Sequence, residues 1–262
     1  MLHGGVHSLV MSSNGMDGCL PPSIGKLKQL RMIELATMPG LRGIIPSELC
    51  SITSLKRLCI CRCNLSGPIP YEIGELIELE ELQLFGNQLS GLIPSSISKL
   101  TNLKLLSFGE YTGGNSFTSG ALPICIKSLI NLEALFMANC NIAGMIINLT
   151  LPNILNSNDL TLFIVTSLLG PLPNWINNLK ELRQLDLQKN SLSGELVDIS
   201  ALSQLLYLNL KDNQNITGRL PVASLSKLSK LNRLSLVNTS FSNDSNDIAV
   251  LQAKLPRCKI WM

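Results

Sequence analysis

Apolar residues return along this chain at an interval too long for a single helix or strand. Residues 76–100 read LIELEELQLFGNQLSGLIPSSISKL, and residues 52–76 read ITSLKRLCICRCNLSGPIPYEIGEL. With Leu and Ile equivalent, both fit L-x-x-L-x-x-L-x-L-x-x-(N/C)-x-L-S-G-x-I-P-x-x-I-x-x-L. The frame opens at Leu27, Ile52, Leu76, Leu100, Leu129, Ile154, Leu179, Leu202 and Leu228, in steps of 25, 24, 24, 29, 25, 25, 23 and 26 residues. An earlier partial copy runs from Val6 to Leu27. Between Leu129 and Leu179 the copies are degenerate: Ile147 replaces the Pro, and no Asn follows Leu162 at the regular spacing.

Each part of the frame has a physical reading. In Leu82-Gln83-Leu84 the alternation predicts a strand with both leucines inward and Gln83 outward. Asn14, Asn87, Asn190 and Asn213 each follow the second strand residue by three, where an amide can tie the backbones of neighbouring turns. Cys63 and Cys140 take that slot in two copies, as small buried thiols. Gly43, Gly67, Gly91, Gly144, Gly170, Gly194 and Gly218 recur at one phase, as a tight backbone demands. Pro46, Pro70, Pro94, Pro173 and Pro221 then end each extended segment. One copy cannot bury its own leucines, so neighbouring copies must stack to make the core.

Over residues 6–240 the pattern resembles the leucine-rich repeat in its plant-type form, the one carrying L-x-G-x-I-P. The resemblance implies an α/β repeat solenoid, a right-handed horseshoe. It places a parallel β-sheet on the concave side, a second extended segment around G-x-I-P, and a 3₁₀ or helical turn on the convex side. The expected organisation is a solenoid of about ten repeats over 1–240 and a C-terminal cap over 241–262. In the cap, Asp247 is expected to N-cap a helix whose Ile248, Leu251 and Leu255 share a face. Pro256 stops that helix, and Cys258–Trp261 follow as an edge strand. At the other end His3 stands where a first Leu belongs, and the paired-Cys cap of secreted plant-type members is missing. An upstream segment or a partner is therefore expected there.

Composition narrows the function. Hydrophobic residues make up 45% of the 262 residues and aromatics only 4%, so the core is aliphatic, and a disordered chain is excluded. A net charge of +3 without a basic stripe argues against nucleic acid. The most apolar stretch, Leu160–Leu169, is too short to span a bilayer. No secretory signal is visible. Sequons at Asn64, Asn148, Asn215, Asn238 and Asn243 permit secretion without arguing for it. The eight cysteines read as free thiols, which favours a reducing compartment. The reading leans cytoplasmic, with the cell surface as the alternative if the chain belongs to a receptor.

Chemistry is sparse. Cys59-x-Cys61-x-Cys63 suggests a metal clip, but zinc needs four ligands and the facing positions Glu34, Ala36, Gln83 and Phe85 supply one weak one. The two histidines, His3 and His7, lie at the start, so the repeats cannot assemble a nucleophile–base pair. The segment Gly109–Gly120 lacks a G-K-[ST] and reads as an insertion in the 29-residue repeat. No enzyme activity, cofactor or metal is expected.

The outward strand positions form two columns. One runs Val10, Glu34, Cys59, Gln83, Ser107, Phe136, Thr161, Asp186, Asn209 and Ser235. The other runs Ser12, Ala36, Cys61, Phe85, Gly109, Ala138, Phe163, Gln188, Lys211 and Val237. Phe85, Phe136 and Phe163 are thus placed on the concave face, beside Gln83, Asp186, Gln188, Tyr207 and Lys211, as a contact surface. Glu110, Tyr111, Asn115 and Phe117 of the insertion are expected to wall it. The expected function is a non-catalytic scaffold binding a protein or peptide, with receptor-like signalling implied by the resemblance. The alternatives are a secreted inhibitor of the polygalacturonase-inhibiting type and an intracellular adaptor.

Overall fold

The computed structural model describes residues 6–110, 115–118, 120, 122–141, 170–242 and 245–262. Ten parallel strands stack edge to edge along one face: β1 Ser8–Ser12, β2 Met32–Gly43, β3 Arg57–Gly67, β4 Glu81–Gln83, β5 Leu105–Ser107, β6 Ala134–Phe136, β7 Gln184–Asp186, β8 Tyr207–Asn209, β9 Arg233–Ser235 and β10 Lys259–Trp261. The leucine frame sets the register. Leu9, Ile33, Leu58, Leu82, Leu106, Leu135, Leu185, Leu208, Leu234 and Ile260 stand side by side and point inward. From Ile33 to Leu234 this row is fully buried.

On the opposite side six of the described turns close with five residues of 3₁₀ helix, as at Tyr71–Glu75 and Ser95–Lys99. The proline ahead of each is extended, with Pro70 at φ −63° and Pro94 at φ −67°, as its ring requires. One isoleucine of each of these two turns, Ile73 or Ile97, is fully buried beneath it. The last repeat substitutes one turn of α-helix, α1 Val222–Leu225.

A left-handed residue precedes the ladder slot in successive turns: Ser13, Thr37, Arg62, Gly86, Asn139, Lys189, Asp212 and Asn238 all have positive φ. This kink ends the strand alternation and swings the next side chain into the core. Asn87 then donates through Nδ2 to the carbonyls of Ile60 at 2.7 Å and Leu84 at 3.0 Å, and accepts from the Leu65 amide. Asn190 and Asn213 repeat the arrangement.

Three expectations need correction. First, β6 pairs directly with β7, Phe136 opposite Asp186. Thr161 and Phe163, expected between them, lie outside the described residues. The ladder links the same two turns: Asn190 donates to the Met137 carbonyl at 2.8 Å and accepts from the Cys140 amide. Second, Asn115 does not wall a site. It is buried and is the ladder asparagine of its repeat, donating to Leu84 at 2.9 Å and Phe108 at 2.6 Å and accepting from the Leu89 amide. Its separation from the strand residue is seven positions instead of three, so four residues of the insertion fall between. Phe117 follows it into the core and packs on Phe108 with ring centroids 5.5 Å apart. Third, the C-terminal helix α2 spans Ser245–Lys254, so Asp247 lies inside its first turn. Its carboxylate accepts two bonds from Arg219, at 2.8 and 2.9 Å, rather than capping the helix.

Asn115→Ala would orphan buried backbone groups on two turns. It should lower the free energy of unfolding by about 1–3 kcal/mol. Urea melts check this; an unchanged midpoint would return Asn115 to an exposed loop.

Candidate ligand-binding face

Between the inward leucines, three outward columns cover the concave sheet. The first carries Arg57, Glu81, Leu105, Ala134, Gln184, Tyr207 and Arg233 in register. The second carries Val10, Glu34, Cys59, Gln83, Ser107, Phe136, Asp186, Asn209, Ser235 and Trp261. The third includes Ala36, Cys61, Phe85, Gln188 and Lys211. Phe85, Phe136, Gln83, Tyr207 and Lys211 are all half-buried, as side chains on a curved sheet shielded by neighbouring strands should be.

Phe85 is held from one side. The Arg62 guanidinium lies 5.7 Å from its ring centroid, and the same guanidinium makes a forked ion pair with Glu110, with contacts of 2.7 to 3.2 Å. Gly86 makes this clasp possible. A Cβ there would meet Arg62 Cγ at 2.9 Å and Glu110 Oε1 at 3.0 Å, at a φ of +68°. Glu110 is engaged with Arg62. Tyr111 lies outside the described residues.

Asp186 and Gln188 are not open contact residues. Both are buried, and Asp186 is saturated. It accepts from the Gln188 amide at 3.1 Å, Gln188 Nε2 at 3.2 Å, Tyr207 Oη at 3.2 Å and Asn209 Nδ2 at 3.1 Å. Burial pushes its carboxyl above the ordinary aspartate value, and those four bonds oppose the rise. Burial and the neighbouring Asp186 push the Tyr207 phenol up to about 12. Asp186 therefore braces Tyr207 on the face instead of meeting a ligand itself.

The sign of the pH effect follows. A folded value above the unfolded value of about 3.9 means the native state holds the proton more tightly. The stability tied to Asp186 is complete below about pH 4 and is lost as pH rises through the folded value. NMR titration of its side-chain carboxyl should give a midpoint above that of free aspartate; a midpoint below it would reverse the argument.

Sequence reasoning missed Trp261. It stands opposite Ser235 in the same column as Phe136, and 44% of it is exposed. The signal was available: in Lys259-Ile260-Trp261 the apolar Ile260 takes the inward place, so the tryptophan must face out. Arg62 was also missed, because its position depends on the left-handed kink at that residue.

The family model for the Leucine Rich Repeat matches residues 54–76 and 78–100, the two copies in which the frame is most regular. The chain folds as a leucine-rich-repeat solenoid similar to plant-type leucine-rich-repeat proteins. Its solenoid superposes on the leucine-rich-repeat ectodomain of the Arabidopsis receptor kinase HAESA, solved with an N-terminally extended IDA peptide hormone. That match has a TM-score of 0.71 at 27% identity, over 92% of this chain and 38% of the receptor. The plant peptide hormone receptor RGFR1, solved with RGF2, gives 0.67 at 26%, over 90% and 36%. A plant ice-binding protein at 24% identity, with a TM-score of 0.64 over 90% and 73%, shares the fold. This leucine-rich-repeat chain thus spans less than two-fifths of the length of those two receptors. No curated protein sequence matches it. Among its described residues no helix is long and apolar enough to cross a membrane.

Proposed function

We propose that this leucine-rich-repeat chain is a non-catalytic recognition scaffold whose concave face binds an extended protein or peptide. The observation that carries the reading is the set of outward aromatics on the three columns: Phe136 and Trp261 in the second, Tyr207 in the first, where Asp186 braces it, and Phe85 in the third. Aromatic anchors beside fixed hydrogen-bonding groups are how interfaces concentrate binding energy. A sheet of ten strands at about 4.8 Å spacing is roughly 45 Å long, which suits an extended partner. The solved receptors of similar fold hold peptide hormones, which supports the same class of ligand here. The absence of catalysis is argued from the chemistry on the face: its most buried carboxylate, Asp186, is engaged by four donors, and His7 lies at the edge, 3.0 Å from the Gln29 carbonyl.

The test is display selection of extended peptides on the wild-type chain. The selected peptides are then rebound to the Phe85→Ala, Phe136→Ala double variant. Loss of most binders is expected; equal retention would place the site elsewhere.

A further inference from the structure

Cys59 and Cys61 sit two residues apart on β3 and face the concave side, with their sulfurs 3.2 Å from each other. Neighbouring strands shelter them: Glu34 and Ala36 stand on one side, and Gln83 pairs with Cys59 on the other. Cys59 retains 9% exposure and Cys61 2%, so a reagent from solvent meets Cys59 first. Cys63 does not join them. The left-handed Arg62 turns it inward, where its thiol lies 3.7 Å from the Leu35 carbonyl. The site therefore offers two thiols and no third.

The spacing discriminates among thiol chemistries. A disulfide needs Cβ atoms about 3.5–4.5 Å apart, whereas alternate residues of a parallel strand stand about 6.6 Å apart. Direct oxidation would have to buckle a strand that is paired on both sides. A single atom between the sulfurs needs no such distortion. Bonded to each sulfur at about 2.3 Å, the zinc–thiolate length, it would span the 3.2 Å gap at an angle of about 90°. Tetrahedral zinc wants a wider angle and four ligands, and a linear two-coordinate ion wants the sulfurs on opposite sides. Pyramidal trivalent arsenic, whose p-orbital bonds lie near right angles, fits both the angle and the count of two sulfurs plus one remaining substituent.

We infer that Cys59 and Cys61 form a dithiol site for trivalent arsenicals, closed by condensation across the two sulfurs. With phenylarsine oxide as its hydrate, two S–H bonds and two As–O bonds break, two As–S bonds form, and two waters leave. Arsenic stays trivalent throughout, so no oxidant or reductant enters. The pair is also poised for attack. The hydrogen bond between the two sulfurs, with Arg57 nearby, holds the Cys59 thiol below its ordinary value.

The experiment is intact-mass spectrometry of the folded chain with phenylarsine oxide. One adduct per chain is expected, surviving excess monothiol and released by excess 1,2-ethanedithiol. Exposed Cys19, a lone thiol, should give only adducts that monothiol removes. Losing either sulfur should weaken binding about 100-fold or more, as losing one arm of a bivalent contact does. Cys59→Ser and Cys61→Ser should therefore both abolish the surviving adduct. Cys59→Ala and Cys61→Ala repeat the test should a serine variant melt early. A surviving adduct in either single variant, or none on the folded wild type, overturns the site.

Discussion

Leu82→Ala is expected to lower the free energy of unfolding by about 2–5 kcal/mol. The leucine is fully buried, between Leu58 on one turn and Leu106 on the next. A solenoid has no distant core to share the loss, because each turn touches only its neighbours. The cavity would thus weaken two interfaces at once, near the middle of the β1–β6 stack. Phe85, three residues on, provides the internal control. It is half-buried and rests against Arg62, so Phe85→Ala removes a cation–π contact and modest area, together about 1 kcal/mol. Urea melts of the two variants give the comparison. Equal losses would mean that the strand alternation does not divide inward from outward residues as the register shows.

The repeat frame made most of the fold readable. The alternation around Gln83 marks Leu82 as inward, and in the sheet it lies between Leu58 and Leu106. Asn87, Asn190 and Asn213 were assigned to the ladder from their distance to the strand. What escaped was non-local or fell where the frame broke. The insertion hid Asn115 and Phe117, although Asn115-x-Phe117 repeats the spacing of Asn87-x-Leu89 and marks where the frame resumes. The β6–β7 pairing joins strands 50 residues apart, Ala134 opposite Gln184, a non-local contact that the frame does not indicate. Asp186 read as an exposed acid because Tyr207 and Asn209, which enclose it, come from the next turn. The alternation still identified Phe85 and Phe136 as outward residues, and the Arg62–Glu110 clasp then explained what holds Phe85 in place.

Replacing Phe85 and Phe136 by alanine should weaken ligand binding by roughly 1–4 kcal/mol, the range of interface anchors. At 1.4 kcal/mol per factor of ten, the dissociation constant rises by about 5-fold to about 700-fold. The effect should fall on the dissociation rate, because removing an anchor changes residence more than encounter. Arg62→Ala should show an intermediate loss: it keeps the Phe85 ring but removes the guanidinium that holds it. Trp261→Ala tests how far the site extends, since Trp261 ends the same column at the C-terminal edge. A ligand spanning the whole sheet loses affinity in all three variants, whereas one seated on β3–β6 is indifferent to Trp261. Leu92→Ala is the control, 73% exposed and outside the concave columns, and should leave binding unchanged. Calorimetry with a selected peptide reads each variant, with a thermal melt beside it. Variants at Phe85 and Phe136 that melt normally and bind as tightly as wild type would remove the concave face from consideration.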